Sequence, residues 1–483
     1  MNFTVPHETE RVWQFFETIC QIPHPSGFEK QLGDWIIRQA KANGLKVRRD
    51  EVGNIRIDRP ASPGFENAPL TILQAHLDMV PQSEEGETFN FLTGSIELKE
   101  ENGWVRAAKR TTLGSDDGIG IAAALALLFD KEFLCGPLAA VFTVEEETGL
   151  TGAGALSAAF LKGDFLLNLD SEEEGIFYVG CAGGARLELK FDPGSTEPPA
   201  HSEGVKITLS GLSGGHSGCN IADRRGNALA YLCRFLAEQP GLHLADVSGG
   251  DLDNVIPREA AVSAVCQDTE ALKAAALRFQ EQLKQEFDAP PAFEITVTPC
   301  ETPLSVWQTE KQQTILNCLS TLPNGVIAFD ETFNAVRTSS NLAAWSMRYG
   351  FLHVRSSQRS FANAEREQLT AELIARCRAA GGECAVGSIY SGWTPSRNSV
   401  IAELSKTVYQ ETFGKSPEVK VIHAGLECGI IQERAGSLDM ISFGPTLTEP
   451  HSPADKLEIA SVTRFYTFLQ ALLLKIAQNH KEF

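Results

Sequence analysis

The sequence has too few basic residues to balance its acidic ones. Its 483 residues include 42 Lys and Arg against 62 Asp and Glu, which gives a formal net charge of −20 at pH 7. Nucleic acids and anionic membrane surfaces select proteins with clustered Lys and Arg. The charge balance therefore argues against both as the main partner, and it is compatible with sites that collect cations.

Segments that would direct the chain to a membrane are also missing. The N-terminus, MNFTVPHE, lacks the basic region and the following apolar region of a signal peptide. The longest strongly apolar run covers residues 118–129, which is too short to span a bilayer. We therefore expect neither a signal peptide nor a membrane-spanning helix.

Closely spaced cysteines are absent as well. The eleven cysteines are scattered singly between Cys20 and Cys428, and no CxxC pair occurs. An odd number without close pairs is typical of reduced intracellular thiols, not of a disulfide framework or a thiolate zinc site. Together with the missing signal peptide, this pattern predicts a cytosolic protein.

The order of apolar patterns predicts an α/β architecture. Strand-like apolar runs at residues 71–76, 138–144 and 165–169 alternate with helical patterns. Such alternation is typical of a mostly parallel or mixed sheet flanked by helices. The segment Ser26-Gly27-Phe28-Glu29 also predicts a capping box, in which Ser26 and Glu29 begin a helix that ends near Ala42.

The pattern changes at about Arg186 and returns to the earlier type near Gly392. Between these points, amphipathic strand patterns such as residues 204–210 accompany helical patterns such as residues 270–287. No internal repeat and no low-complexity linker marks a boundary. The position of the functional motifs must therefore define the domains.

Acidic residues and histidines follow several of the apolar runs. They occur in the segments AHLDMV, LGSDDGIG, FTVEEETG, LLNLDSE and TEPHSPAD, which contain His76, Asp78, Asp116, Glu146, Glu147, Asp170 and His451. In open α/β sheets, ligand sites collect at the carboxyl ends of strands. Carboxylates gathered there would repel one another unless cations lay among them. A set of histidines and carboxylates suits zinc or manganese.

Each of these segments alone has an ordinary explanation. An HxD sequence at a strand end is more often a surface turn, a Glu triplet is usually a solvated helix start, and a histidine before Ser-Pro can be any exposed loop residue. The joint order is specific: HxD, Gly-x-Asp-Asp-x-x-Gly, Glu-Glu-x-Gly, Asn-x-Asp and a distant Pro-His.

This order resembles the co-catalytic dizinc exopeptidases of the glutamate carboxypeptidase and aminoacylase type. Within that family, the chain is most similar to the aminoacyl-histidine dipeptidases. The segments IPHPSG, GCAGG, SGGHSG, NVIPREA and HAGLECG also carry the resemblance, which therefore covers nearly the whole chain.

The resemblance implies an α/β fold with a zinc-exopeptidase-like catalytic domain. Its mixed central sheet, flanked by helices, would be interrupted by an inserted α+β lid and dimerisation domain. We accordingly expect the catalytic domain to comprise residues 1–186 and 393–483, and the inserted domain to comprise residues 187–392. The inserted domain would join two chains into a homodimer.

The resemblance also implies two divalent metal ions, zinc ions with Mn²⁺ or Co²⁺ as alternatives. By position, His76 and Asp170 would bind one ion, Glu147 and His451 would bind the other, and Asp116 would bridge both. Two divalent ions are neutralised by three carboxylates and one bridging hydroxide, which would be the nucleophile.

Two acidic residues of the catalytic segments would serve the reaction without binding metal. Asp78 would accept the ring N–H of His76 and fix its tautomer. In the Glu triplet, only the register Glu146-Glu147-Thr148-Gly149 satisfies the family pattern, so Glu146 becomes the general base and Glu147 the ligand. Asp116 is preferred to Asp117 as the ligand because the family uses the first residue of the pair.

Four further residues are implied as contacts of the substrate. His216 would reach the substrate's carbonyl or its terminal carboxylate, and Asn254 and Arg355 are candidates for the same task. An arginine there offers a bidentate fork to a carboxylate. Glu427 would pair with the free amine. The ordinary alternatives are a flexible turn at His216 and a surface charge at Arg355.

The implied activity is hydrolysis of unblocked dipeptides, including Xaa-His and β-alanyl-histidine. Two alternatives on the same scaffold are an N-acyl amino acid deacylase and a tripeptidase. A third is a catalytically silent, peptide-binding relative, although retention of all seven site residues argues against it. The partner is then a small dipeptide, not a nucleic acid or a membrane.

Overall fold

The computed structural model describes residues 3–287, 292–436 and 438–479. The chain divides into two compact units. Unit 1 comprises Met1–Gly180, Pro395–Val421 and Leu426–Phe483, and unit 2 comprises Cys181–Thr394 and Ile422–Gly425. Unit 2 therefore interrupts unit 1 in chain order. The sequence pattern did not predict that residues 422–425 belong to unit 2.

Eleven α-helices and 23 strands lie in the described ranges. The helices are α1 Glu10–Gln21, α2 Lys30–Ala42, α3 Ser115–Leu128, α4 Thr151–Ala155, α5 Ala228–Ala237, α6 Thr269–Lys284, α7 Thr309–Ser320, α8 Asn363–Ala379, α9 Val400–Phe413, α10 Glu427–Ala435 and α11 Ile459–Gln478. The strands are β1 Lys46–Arg49, β2 Ile55–Arg59, β3 Thr71–His76, β4 Leu98–Glu101, β5 Trp104–Ala107, β6 Leu138–Thr143, β7 Phe165–Asn168, β8 Ile176–Cys181, β9 Gly183–Phe191, β10 Glu203–Ser210, β11 Gly215–His216, β12 His243–Gly249, β13 Val255–Ile256, β14 Ala260–Cys266, β15 Glu294–Pro299, β16 Gly325–Asp330, β17 Ala335–Arg348, β18 Phe351–Ser360, β19 Glu383–Tyr390, β20 Glu418–Ile422, β21 Asp439–Ser442, β22 Leu447–Thr448 and β23 Lys456–Glu458.

Unit 1 is built on an eight-stranded sheet of order β1-β2-β6-β3-β7-β21-β8-β20. Strand β3 pairs in parallel with β6 and β7, and β21 pairs in parallel with β7. Strands β1, β2 and β6 are antiparallel neighbours, and β8 runs antiparallel to β21. This confirms the predicted mixed sheet.

The three adjacent parallel strands of this sheet explain the apolar runs of the sequence. Every residue of β3, β6 and β7 is buried. A parallel strand that is covered on both faces needs a continuous apolar run instead of an alternating one. Since the three strands run the same way, their last residues, His76, Thr143 and Asn168, lie at the same edge of the sheet.

Two helices contribute much of the core of unit 1. Helix α3 is apolar on all sides and almost wholly buried, and α1 packs against it. Helix α11 is long and apolar enough to cross a membrane by length and composition alone, but half of it is buried within the structure. Its Phe468 ring stacks on Phe177 with ring centroids 5.0 Å apart. These contacts make α11 a core helix.

Unit 2 is an α+β body. Its nine-stranded sheet has the order β15-β10-β14-β12-β17-β18-β9-β19, and β16 also pairs with β17. The described pairs within this sheet are all antiparallel. Side chains of helices α5 to α8 join those of the sheet in one apolar core. A small two-stranded ribbon, β11 with β13, belongs to the same unit.

The predicted capping box at the start of α2 is wrong. The helix ends at Ala42 as expected, but it begins at Lys30 instead of next to Ser26, and no side chain caps its first turn. The Ser26 hydroxyl donates to Asp78 Oδ2 at 2.8 Å, and Glu29 Oε1 accepts the backbone N–H groups of Gly27 and Glu145. The distant residues Asp78 and Glu145 thus bind the two side chains that a local pattern assigned to the helix.

Candidate metal centre

The five predicted ligand residues meet at the carboxyl edge of the parallel strands. His76 ends β3, Asp170 follows β7 by two residues, and Glu147 follows β6 by four. Asp116 lies at the start of α3, and His451 lies in the loop between β22 and β23. Glu147 and Asp170 thus stand in the segments that follow apolar strands, and His76 is the last residue of another.

The first group of ligand atoms surrounds His76. Its Nε2 atom lies 2.8 Å from Asp116 Oδ1 and 3.3 Å from Asp170 Oδ1. The His76 side chain is only 1% exposed. Ligands at about 2.0–2.2 Å from a tetrahedral zinc ion lie about 3.3–3.6 Å apart. The separation of His76 and Asp170 therefore matches that of neighbouring ligands of one ion, and that of His76 and Asp116 is shorter.

The second group surrounds His451. Its Nε2 atom lies 3.2 Å from Asp116 Oδ2 and 2.8 Å from Glu147 Oε1. Although Glu147 Oε1 is buried, it has no hydrogen-bond partner, so the short contact to His451 lacks hydrogen-bond alignment. An imidazole nitrogen and carboxylate oxygens that converge in this way suit a common cation. The donor set of imidazole nitrogens and carboxylates fits Zn²⁺, Mn²⁺ or Co²⁺.

The pKa values of the cluster also indicate that its carboxylates need positive charge nearby. Burial alone would lower the pKa of His76, but the carboxylates of Asp170 and Asp116 raise it well above its usual range. Contacts with Asp116 and Glu147 raise the pKa of His451 to about 10. Conversely, burial raises the pKa of Asp170 well above its usual range. A divalent cation at each of the two Nε2 atoms would supply the positive charge that the carboxylates need.

Asp78 connects two of the ligand-bearing segments. The Nδ1 atom of His76 lies 2.9 Å from the backbone carbonyl oxygen of Asp78 and 3.5 Å from its carboxylate. Asp78 would therefore hold a proton on Nδ1, which would leave the Nε2 lone pair for a metal. The Asp78 carboxylate itself accepts the backbone N–H groups of Glu146 and Glu147, so it holds the segment after β6 against the end of β3.

The two glutamates at the predicted register have different neighbours. Glu147 groups with Asp116 and His451, while a Glu146 carboxylate oxygen lies within 4.8 Å of ligand atoms of His76 and Glu147. Burial raises the pKa of Glu146 well above its usual range, and the nearby Glu427 and Glu147 add to the effect. Glu145 donates its backbone N–H to Glu29. Asp117 accepts the N–H of Gly120 within the first turn of α3.

Glu427 lies in the interior of unit 1. It is completely buried, and its Oε2 atom accepts hydrogen bonds from Gln74 at 2.5 Å and Thr143 at 2.7 Å. Burial raises its pKa to about 7. Its Oε1 atom has no hydrogen-bond partner. Its pairing with a substrate amine stays a prediction.

The other three predicted substrate contacts lie in unit 2, and two of them are neighbours. His216 in β11 pairs with Val255 in β13, and the N–H of Ser217 donates to the carbonyl oxygen of Asn254 at 2.7 Å. The Nδ1 atom of His216 accepts the N–H groups of Gly218 and Cys219. The SGGHSG segment is therefore an ordered turn that leaves the Nε2 atom of His216 free of these bonds.

Arg355 already has acidic partners in unit 2. Its guanidinium donates to the carbonyl oxygen of Asp251 at 2.6 Å and lies 3.2 Å from Asp253 Oδ1. A substrate carboxylate would have to compete with both groups. The assignment of Arg355 to the substrate stays a prediction.

The structure adds Arg359 and His423 to the candidates of unit 2. Burial and the charge of Arg359 lower the pKa of His216 to about 4 and that of His423 to about 3. The Arg359 side chain is buried, and its Nε atom has no hydrogen-bond partner. A buried guanidinium beside two neutral imidazoles is suited to an anion. His423 belongs to the HAGLECG segment, which could have directed attention to it, whereas no motif contains Arg359.

The chain is similar to a family of peptidases and to several solved structures. The model of the family described as Peptidase family M20/M25/M40 matches residues 72–475. The cytosol non-specific dipeptidase of Escherichia coli (strain K12) is 40% identical over 472 residues, which cover 96% of this chain and 97% of that protein. The crystal structure of aminoacylhistidine dipeptidase from Vibrio alginolyticus has a TM-score of 0.91 at 38% identity and covers 97% of this chain and 98% of that one. The aminopeptidase PepT from Bacillus cereus shares the fold, with a TM-score of 0.58 at 15% identity. This match covers 98% of this chain and 99% of that chain.

Proposed function

Because the chain belongs to the M20/M25/M40 family of peptidases, we propose that it is a two-metal dipeptidase of unblocked dipeptides, including Xaa-His and β-alanyl-histidine. Similarity to two dipeptidases over nearly the full length of each supports this substrate class. The alternative of an N-acyl amino acid deacylase or a tripeptidase has no comparable support. The same similarity favours an active enzyme over a silent peptide-binding relative.

A single observation carries the two-metal assignment. The two carboxylate oxygens of Asp116 face different histidines, Oδ1 towards His76 and Oδ2 towards His451. A carboxylate that bridges two ions must present its oxygens in this way. His76 and Asp170 would then complete one ion's ligands, and Glu147 and His451 would complete those of the other.

When bound, two divalent ions would lower the pKa of a water molecule and polarise the scissile carbonyl group. Glu146 would take the proton of that water and return it to the leaving amine. A carboxyl group whose pKa is raised by burial suits both steps, because it can hold the proton between them. Asp78 would keep His76 in the tautomer that leaves Nε2 free.

In unit 2, the cluster of His216, His423 and Arg359 would bind the substrate's terminal carboxylate. The low pKa values of both histidines keep the imidazoles neutral at pH 7, so Arg359 supplies the positive charge. Its buried Nε–H is available to one oxygen of a carboxylate. Recognition of this end of the substrate would restrict the enzyme to peptides with a free carboxylate.

The finer statements on assembly and location are proposals as well. We expect a homodimer formed through unit 2, where strand β16 exposes the apolar side chains of Val326, Ile327 and Phe329. Light scattering of the purified chain measures this, and a monomer at micromolar concentration would contradict it. A cytosolic location agrees with eleven cysteines that form no disulfide.

The activity is tested with a panel of free dipeptides, N-acetylated dipeptides and tripeptides. The chain is treated with a chelator, dialysed, and assayed with and without added Zn²⁺, Mn²⁺ or Co²⁺. We expect cleavage of free dipeptides only, lost after chelation and restored by metal. Preferential cleavage of the acetylated or longer peptides would favour the alternatives, and no metal-dependent cleavage of any peptide would refute the proposal.

A further inference from the structure

We propose that Asp455 is a positioning residue that holds the Asp116 loop and the His451 loop together. The inference depends on the proposed two-metal function, because both loops carry ligands of one ion. Asp455 follows His451 by four residues, in the same loop between β22 and β23. It is completely buried, and it lies outside the set of ligands and catalytic residues described above.

The Asp455 carboxylate binds the three residues that precede Asp116. Its Oδ2 atom accepts the backbone N–H groups of Leu113 at 2.9 Å, Gly114 at 3.0 Å and Ser115 at 3.4 Å. Its Oδ1 atom accepts the hydroxyl hydrogen of Ser115. These contacts bridge 341 positions between Gly114 and Asp455 in the sequence.

The backbone of the Asp116 loop is shaped to receive this carboxylate. Gly114 has a φ of 76°, in the left-handed region that favours glycine, and this turn brings three consecutive N–H groups towards one point. Such converging N–H groups form a cradle for an anion. Without an acceptor, three buried N–H groups would each lose a hydrogen bond, so the loop conformation depends on Asp455.

Asp455 has the same proposed structural role as Asp78, which lies elsewhere in the centre. Asp78 joins the end of β3 to the segment of Glu146 and Glu147 through backbone N–H groups. Asp455 joins the segment before Asp116 to the segment of His451 by the same chemistry. Between them, two buried aspartates set the separations of four of the five ligand residues. Asp455 would in this way preserve the 3.2 Å separation of Asp116 Oδ2 and His451 Nε2.

The test compares zinc affinity among Asp455→Ala, Asp455→Asn and a matched control, Asp439→Ala. Asp439 also lies in unit 1 and accepts a hydroxyl hydrogen bond, from Ser399, and a backbone N–H, from Ile401. Its strand β21 pairs with β7 so that Asp439 lies opposite Phe165, at the far end from Asp170. The ions bound per chain are counted by mass spectrometry, affinity is measured by competition with a chelator, and the Co²⁺ absorption spectrum reports ligand geometry.

We expect Asp455→Ala to bind the ion of Asp116 and His451 roughly 10- to 100-fold less tightly, because loss of other groups that orient ligands has this effect. The Co²⁺ spectrum should change as well. Asp455→Asn keeps an oxygen for the three N–H groups and should stay within a few-fold of the wild type. Asp439→Ala should lower the thermal midpoint but keep both affinities. Wild-type affinities in Asp455→Ala, or equal losses in Asp455→Ala and Asp439→Ala, would overturn the inference.

The same measurements separate this inference from the proposed function. A wild-type chain that binds two ions but cleaves no dipeptide would refute the activity, while the affinities would still decide the role of Asp455. A wild-type chain that binds fewer than two ions would refute the two-metal centre and this inference together.

Discussion

Glu146 and Glu147 are adjacent in sequence but differ in what surrounds their carboxylates. Both backbone N–H groups donate to the same Asp78 carboxylate, which turns the chain so that the two side chains reach different points of the centre. Glu147 lies 2.8 Å from the imidazole of His451, whereas burial raises the pKa of Glu146 against the opposing charge of His76. At the scale of single residues, the proposed division of roles therefore depends on the close contact of Glu147 with His451.

We expect Glu146→Gln to retain both metal ions and to lose turnover by a factor of roughly 10² or more, since a general base contributes about that much. Glu147→Gln should instead lose one ion, because it removes a ligand charge. Metal content and kcat of each variant are measured side by side, with Glu145→Gln as the control that keeps both. Metal loss in Glu146→Gln with retention in Glu147→Gln would show that the register is wrong.

A second prediction at this scale concerns acid stability and His423. Burial and Arg359 lower its pKa from 6.5 to about 3 in the folded chain. Below pH 6.5 the unfolded chain binds a proton that the folded chain does not, so the stability that is present above pH 6.5 is lost as the pH falls towards 3.

The free energy of unfolding should therefore fall less in His423→Gln than in the wild type when the pH is lowered from 7 to 5. The two decreases should differ by about 2 kcal/mol. The free energy of unfolding is measured with urea at both pH values. His201→Asn, which changes an exposed histidine of the same unit, is the control and should follow the wild type. Parallel pH profiles for His423→Gln and the wild type would contradict the prediction.

At the scale of elements, the sequence predicted the features that depend on neighbouring residues, such as the ends of strands. It missed the contacts between residues that are distant in sequence. The ends of β3, β6 and β7 were predictable because apolar runs stop where strands leave the core, and the candidate ligands follow there. The start of α2 was misjudged because the Ser26 hydroxyl binds Asp78, 52 positions away. Asp455 and Arg359 escaped notice for the same reason, since their partners come together only when the sheets form.

Strand β18 offers a direct comparison of two arginines four positions apart. Arg355 is paired with Asp251 and Asp253, whereas Arg359 is buried beside His216 and His423. We expect Arg359→Ala to lower the preference for a free dipeptide over its amide by about 10² or more in kcat/KM, since a buried polar contact with the carboxylate is lost.

Arg355→Ala is the matched control on the same strand and should keep the preference of the wild type. Rates are measured for one dipeptide and its C-terminal amide with all three proteins. If the preference fell in Arg355→Ala and survived in Arg359→Ala, the residue predicted from the sequence would be the correct one.

At the scale of the whole molecule, the residues with proposed roles belong to two different units. Every proposed metal ligand belongs to unit 1, and the cluster around Arg359 belongs to unit 2. In unit 1, the carboxylates of Asp116, Glu147 and Asp170 lie close together and repel one another unless a cation neutralises them. The stability of unit 1 should therefore depend on metal, because a ligand that binds only the folded state stabilises it.

Removal of metal should accelerate hydrogen exchange in β3, β6 and β7, near the ligand residues, and leave the sheet of unit 2 unchanged. Exchange is followed by mass spectrometry with and without chelator, and added Zn²⁺ should restore slow exchange. Asp116→Asn, which removes the bridging charge, should respond less to the chelator. Equal acceleration in both units would contradict this expectation.

The position of β21 has a consequence for how the protein is made. This strand lies between β7 and β8 in the sheet, yet the ribosome adds it roughly 260 residues after β8, which takes roughly 13–50 s at common rates of synthesis. The growing chain lacks this strand of the central sheet during that time, and His451 emerges later still. A nascent or prematurely terminated chain that lacks His451 thus carries His76, Asp116, Glu147 and Asp170 without this proposed ligand, and we expect it to hydrolyse no dipeptide.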